Sequence, residues 1–168
     1  MIIQIVGYKN SGKTTLMTHA VSFLKEKGFT VATIKHHGHL GNDITLQNDD
    51  VDHMKHFNAG ADQSIVQGET FQQTVTRISK QNLTDIIKES VTIDCNIILV
   101  EGFKEEPFKK VVVYRDDSDL EMLSKLTNVC FTINLNESNV YEKFEIALLE
   151  LIKICLLYTS PSPRDQRG

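Results

Sequence analysis

The chain has 168 residues, 40% apolar and 24% charged, which is one domain's worth and enough for a single sizeable core. Its 18 basic and 22 acidic residues leave a net charge of −4, which excludes a nucleic-acid binder that relies on overall positive charge. No apolar run approaches the ~20 residues of a membrane span, and no charged-then-apolar signal pattern follows Met1, so the expectation is a cytoplasmic protein without a membrane partner.

Ile2–Val6 is a short apolar run suited to a strand buried on both faces. From Thr14 to Lys27, Leu16, Ala20, Val21, Phe23 and Leu24 recur at helical spacing, and Gly28 supplies a stop. Phe29–His36 is β-branched and reads as a second strand. His37 to Asp50 is polar and turn-rich, a long loop, and a short helix follows over Val51–Asn58 with Asp49 or Asp50 as its cap. Gln63–Val66 and Phe71–Ile78 read as strands of a hairpin turning through the intervening Gln-Gly-Glu-Thr, and Leu83–Ser90 as a helix. Cys95–Val100, Lys109–Arg115 and Val129–Leu135 are three further strands, and Val140–Leu157 is a helix with Phe144, Ala147, Leu148, Leu151, Ile152 and Cys155 on its apolar side. Strands alternating with helices predict an α/β fold of three layers, a mainly parallel central sheet flanked by helices. Residues 1–157 then form one nucleotide-binding domain, and 158–168, where Pro161 and Pro163 break all periodicity, read as a disordered or artefactual tail. Cys95, Cys130 and Cys155 form no Cys-x-x-Cys pair and read as reduced core thiols.

The stretch Gly7-Tyr8-Lys9-Asn10-Ser11-Gly12-Lys13-Thr14 fits the phosphate-loop pattern G-x-x-x-x-G-K-[ST]. It follows a strand and opens a helix, as that pattern requires. Glycines let the loop turn its N–H groups inward around a phosphate without penalty, and the helix start adds unpaired N–H groups and the positive end of its dipole. Lys13 is placed to reach the β- and γ-phosphates, Thr14 to bind Mg²⁺, and Thr15 to touch the α-phosphate. Lys9 reads as a solvated lysine or as a second phosphate neutraliser. Such a site needs an acidic residue at the tip of a neighbouring strand to hold Mg²⁺. Glu101, at the end of Asn-Ile-Ile-Leu-Val-Glu-Gly-Phe, supplies it; the plainer reading is an ordinary strand-end glutamate. Gly102 lets the backbone turn close to the phosphates, and Lys104 is a further candidate contact.

His36, His37 and His39 sit just past the second strand, at the sheet edge where ligands bind in parallel sheets. Three readings stand: a metal site, a contact with nucleotide or acidic ligand, and a polar loop. Asp52 either belongs to the helix start or points into the site. The residues show little machinery for water activation or for closing over a phosphate acceptor, since Arg77 and Arg115 are the only arginines outside the tail. That favours slow hydrolysis and a binding role over a small-molecule kinase. The Asn-Lys-x-Asp stretch that reads guanine in many GTPases is missing; Thr132–Ser138 lies where such a loop could sit but carries other residues.

Together the phosphate loop, Thr33–His39, Val51–Asp62, Ile98–Lys104 and Lys109–Asp116 resemble the molybdopterin-guanine dinucleotide biosynthesis protein B (MobB) family of P-loop GTP-binding proteins, over about residues 1 to 135. The resemblance implies a cytoplasmic homodimer that binds GTP with Mg²⁺, hydrolyses it weakly and assists the MobA-type guanylyltransferase that attaches GMP to molybdopterin, with molybdopterin itself a further candidate ligand. The implied site is Gly7 to Thr15 with Glu101, the catalytic pair being Lys13 and Glu101 and the metal pair Thr14 and Glu101. His36, Asp52, Gly102 and Lys104 match further family positions. The segment between His39 and Asp52 departs from the pattern: it is longer and lacks the usual Pro-Gly-Lys. The alternatives are a P-loop kinase and a GTP-dependent metallochaperone using the histidines.

Overall fold

The structure, a computed structural model, describes residues 1–38, 41 and 43–159. His39, and the expected tail beyond Thr159, lie outside the described residues. The elements in chain order are β1 (Ile2–Val6), α1 (Lys13–Glu26), β2 (Val31–Lys35), α2 (Asp52–Asn58), β3 (Gln63–Gln67), β4 (Gln72–Thr76), α3 (Leu83–Ser90), β5 (Ile97–Glu101), β6 (Lys109–Tyr114), α4 (Asp117–Leu123), β7 (Val129–Asn134) and α5 (Val140–Thr159). They gather into two compact units, one of residues 1–36 with 87 onward, the other His37–Ile86.

The first unit is built on a five-stranded sheet in the order β2-β5-β1-β6-β7, with every neighbouring pair parallel. The predicted α/β fold with a parallel sheet flanked by helices is therefore what the chain adopts. Central strands of such a sheet are covered on both faces, which is why β1 and β5 are continuous apolar runs. On one face Ile3, Ile5, Leu99, Val111, Val113 and Ile133 pack against Leu16, Ala20 and Leu24 of α1 and Phe144, Leu148 and Leu151 of α5. The i, i+4, i+8 spacing of Leu16, Ala20 and Leu24 puts all three on one stripe of α1, and each is at most 2% exposed. Each buried Leu or Phe of this layer contributes about 1.5–3 kcal/mol. On the other face Val6 and Val112 pack with Leu123 of α4. Beside them on that face is Gln4, fully buried, whose Nε2 donates to the carbonyls of Gly102 at 3.0 Å and Phe103 at 2.6 Å.

Helix α4 was not among the predicted elements. Its short Asp-Ser-Asp-Leu-Glu-Met-Leu run carries acidic residues in the first turn, which favour a helix start, and only Leu123 of the run is buried. The cysteines correct the expectation of core thiols. Cys130 is exposed on the edge strand β7, and Cys95 and Cys155 are half-buried. An edge strand shows alternate residues to solvent, and Cys130 falls on that side.

In the second unit β3 and β4 form the predicted antiparallel hairpin. Helix α2 begins with Asp52, and its cap position is Val51 in extended backbone, with no side-chain cap bond. The expected caps do other work: Asp49 Oδ1 accepts from Asn58 Nδ2 at 2.9 Å, and Asp50 donates its N–H to Asn48 Oδ1 at 3.4 Å.

Candidate functional site

The carboxyl ends of all five parallel strands lie along one edge of the sheet, where the loops that follow them meet. The phosphate loop follows β1, His36 follows β2, Gly102 to Lys104 follow β5, Arg115 follows β6 and Asn136 follows β7.

Two glycines shape the phosphate loop for different reasons. Gly12 takes φ +88°, the left-handed conformation, and its carbonyl accepts the Leu16 N–H at 3.2 Å to open α1. Gly7 needs no unusual φ. A Cβ there would meet the Val113 carbonyl oxygen at 2.6 Å, Ser11 Oγ at 2.8 Å and Val113 Cγ2 at 2.9 Å, so the residue is glycine because the chain leaves β1 hard against β6. Between them Asn10, with φ 60°, takes the second left-handed step of the loop, a conformation asparagine tolerates better than most residues.

Lys13, the first residue of α1, folds its ammonium back over the loop. It donates to the carbonyls of Gly7, at 2.9 Å, and Tyr8, and approaches Ser11 Oγ at 3.4 Å. Burial lowers its pKa; Glu101 opposes the shift, and Lys35 and Lys104 add to it. A cation gathered into a loop of carbonyls and a hydroxyl is poised to turn toward an anion that offers it stronger acceptors.

Glu101 ends β5 with only 7% of the residue exposed. Its carboxylate accepts the Thr14 hydroxyl at 3.1 Å and 3.3 Å, one distance to each oxygen, and pairs with the Lys35 ammonium at 3.0 Å. Thr14 and Glu101 are thus brought together across 87 residues of sequence, and the oxygens they offer are the hard donors that Mg²⁺ selects. Lys35 is the site residue that the sequence left unmarked. It stands directly opposite Glu101 in the β2–β5 register, a neighbour fixed only once the strand order is known.

Around this centre His36 stacks on Phe103 with ring centroids 4.5 Å apart, and its N–H donates to the Glu101 carbonyl at 2.9 Å. Gly102 is held from both sides, donating its N–H to the Ile5 carbonyl at 3.1 Å and accepting from Gln4. Lys104 is exposed, with its ammonium 5.0 Å from the centre of the Tyr8 ring. Lys9 and Thr15 are exposed. Arg115 donates to Asn136 Oδ1 at 3.1 Å, while its carbonyl accepts from Asn136 Nδ2 at 2.9 Å. Asp52 belongs to the second unit, where its side chain is 93% exposed and 3.7 Å from Lys55 Nζ. His37 also belongs to that unit and is exposed. Among the described residues no three His, Cys, Asp or Glu side chains cluster as a metal site, and no helix is long and apolar enough to cross a membrane.

Comparison with known proteins sets this site in a family. Residues 2–134 match the family model for molybdopterin guanine dinucleotide synthesis protein B, MobB. The chain is 34% identical over 137 residues to the probable molybdopterin-guanine dinucleotide biosynthesis adapter protein of Bacillus subtilis, covering 81% of this chain and 78% of that one. It is 28% identical to the corresponding adapter protein of Haemophilus influenzae, over 69% of this chain and 64% of that protein. Among solved structures, a MobB homologue from Bacillus stearothermophilus superposes with a TM-score of 0.70 at 26% identity, covering 91% of this chain and 98% of the other. With its phosphate loop and its parallel sheet, the chain belongs to the molybdopterin guanine dinucleotide synthesis protein B family.

Proposed function

We propose that this protein is a GTP-binding adapter of molybdopterin guanine dinucleotide biosynthesis, working as a homodimer that assists the guanylyltransferase and hydrolyses its nucleotide slowly. The observation that carries the nucleotide reading is the Thr14 hydroxyl on the Glu101 carboxylate at 3.1 Å, at the foot of a loop that Lys13 closes. The residues fit a nucleoside triphosphate with Mg²⁺. The cradle leaves no room for a Cβ at Gly7, the opening turn of α1 offers N–H groups with no intrahelical partner, and Thr14 with Glu101 makes an all-oxygen donor pair. When bound, Mg²⁺ would neutralise charge on the β- and γ-phosphates. Thr14 and Glu101 would hold it, with Lys35 fixing the Glu101 carboxylate from the β2 side. Lys13 would exchange the Gly7 and Tyr8 carbonyls for phosphate oxygens.

The adapter part rests on the family and on what its members are called. Calorimetric titration of the chain with GTP and then ATP, with and without Mg²⁺, tests the reading. The expected result is a preference for GTP that Mg²⁺ strengthens, followed by retention of the guanylyltransferase on immobilised protein. Equal binding of the two nucleotides overturns the guanine assignment, and phosphorylation of a small-molecule acceptor would favour a kinase instead.

A further inference from the structure

Two cavities flank α1, and both include Thr14. The one on the β2 side, about 420 Å³, contains the Lys35–Glu101 pair. The one on the α5 side, about 510 Å³, is lined by Thr14, Thr15, Thr18, His19, Ser22 and Tyr141. A nucleotide whose phosphates lie over the start of α1 can send its nucleoside along one of them or toward the loop after β7. The first carries the Lys35–Glu101 pair, the pair that faces Thr14, among Met17, Val21 and Ile34. The second holds no carboxylate, lysine or arginine in its lining. It offers hydroxyls from α1 and two aromatic rings.

Those rings form a unit. The Tyr141 ring lies 4.5 Å from that of His19, tilted by 42°, and His19 Nε2 is fixed 2.8 Å from Glu145 Oε1, one turn further along α5. Tyr141 is 44% exposed, a large aromatic surface left open beside the phosphate loop. Aromatic faces hold nucleobases by stacking, and every base has a face to stack. The other candidate base seat, the loop after β7, is committed to internal bonds. Asn134 Oδ1 accepts the Asn136 N–H at 2.9 Å, Asn136 and Arg115 bond in both directions, and Glu137 pairs with Lys143.

We propose that the recess between α1 and α5 seats the base and ribose of the bound nucleotide, with the Tyr141 ring as its stacking platform and the His19 ring closing one edge. The inference rests on the phosphate-loop reading above and extends it to the nucleoside. The α1 hydroxyls of Thr15, Thr18 and Ser22 then line the path from the α-phosphate to the ribose.

The test compares GTP with inorganic tripolyphosphate, both with Mg²⁺, on the parent chain, Tyr141→Ala and Tyr141→Phe. Tyr141→Ala should bind GTP about tenfold more weakly, within the range stacking on one ring supplies, and tripolyphosphate as the parent does. Tyr141→Phe, which keeps the ring, should bind GTP like the parent. Unchanged GTP affinity in Tyr141→Ala, or an equal loss for both ligands, overturns the base seat. Failure of the phosphate-loop reading shows separately, as tripolyphosphate binding that Lys13→Met leaves intact.

Discussion

The contact of Gly7 with β6 makes a quantitative prediction. In Gly7→Ala the new methyl meets the Val113 carbonyl oxygen at 2.6 Å, which is 0.8 Å inside the 3.4 Å where ordinary contact begins. Its other two neighbours, at 2.8 Å and 2.9 Å, leave no direction of easy escape. Val113 is fully buried, and β6 is held between β1 and β7, so the strand cannot retreat without straining two hydrogen-bonded ladders. The loop must move instead. Overpacking of this kind costs about 1–3 kcal/mol, and the rigid partner argues for about 2. For a chain of this size that lowers the melting temperature by about 4–8 °C, and the urea midpoint by about 1 M. Affinity for GTP should fall with it, because the loop that moves carries the N–H groups that face the phosphates. Gly12→Ala is the control: it meets nothing closer than 3.6 Å and suffers only its φ of +88°, about 1–2 kcal/mol for a left-handed residue. Thermal and urea unfolding with GTP titration measure all of this. A Gly7→Ala protein with the parent's melting temperature and affinity would refute the close-approach account.

Lys13→Met should abolish GTP binding without loss of melting temperature. Its pKa is lowered chiefly by burial, so the folded chain binds fewer protons there than the unfolded one; the charge costs stability below both pKa values, and the cost is relieved as pH rises through the folded value. The parent should therefore gain stability over that alkaline interval while losing affinity for GTP, and the variant's stability should show no such rise; a variant that melts well below the parent contradicts this. Glu101→Gln should lower affinity measured with Mg²⁺ far more than affinity measured without it, while stability changes by less than about 1 kcal/mol because Lys35 is mostly exposed. Equal losses with and without Mg²⁺, read by calorimetry, would remove the metal role.

Much of the local structure was legible in the chain. The apolar run Ile2–Val6, the periodic stretch after Lys13 and the hairpin through Gln67 to Thr70 announce their elements because each depends on short-range spacing. The loop between β1 and α1 was legible as a phosphate cradle for the same reason: it is a local pattern with a local purpose. Helix α4 was missed because one buried leucine, Leu123, gives periodicity nothing to repeat. The cap of α2 was misplaced because aspartates that favour helix starts also bond well in the preceding turn, as Asp49 does with Asn58.

The site divides along the same line. Sequence alone determined that the phosphate-loop pattern stands between a strand and a helix, that Lys13 and Thr14 close that pattern, and that Glu101 ends a buried strand. Only the tertiary structure decided who stands beside whom. Lys35 meets Glu101 because β2 pairs with β5, Gln4 holds the turn after Glu101 from inside the sheet, and Tyr141 opens beside Thr15 because α5 packs along α1. It also changed the reason for Gly7 from backbone freedom to the closeness of β6. Spacing along a chain fixes which groups can act within one turn or strand, whereas strand order and helix packing fix the contacts between residues tens of positions apart, and those contacts exist only when the whole sheet has formed.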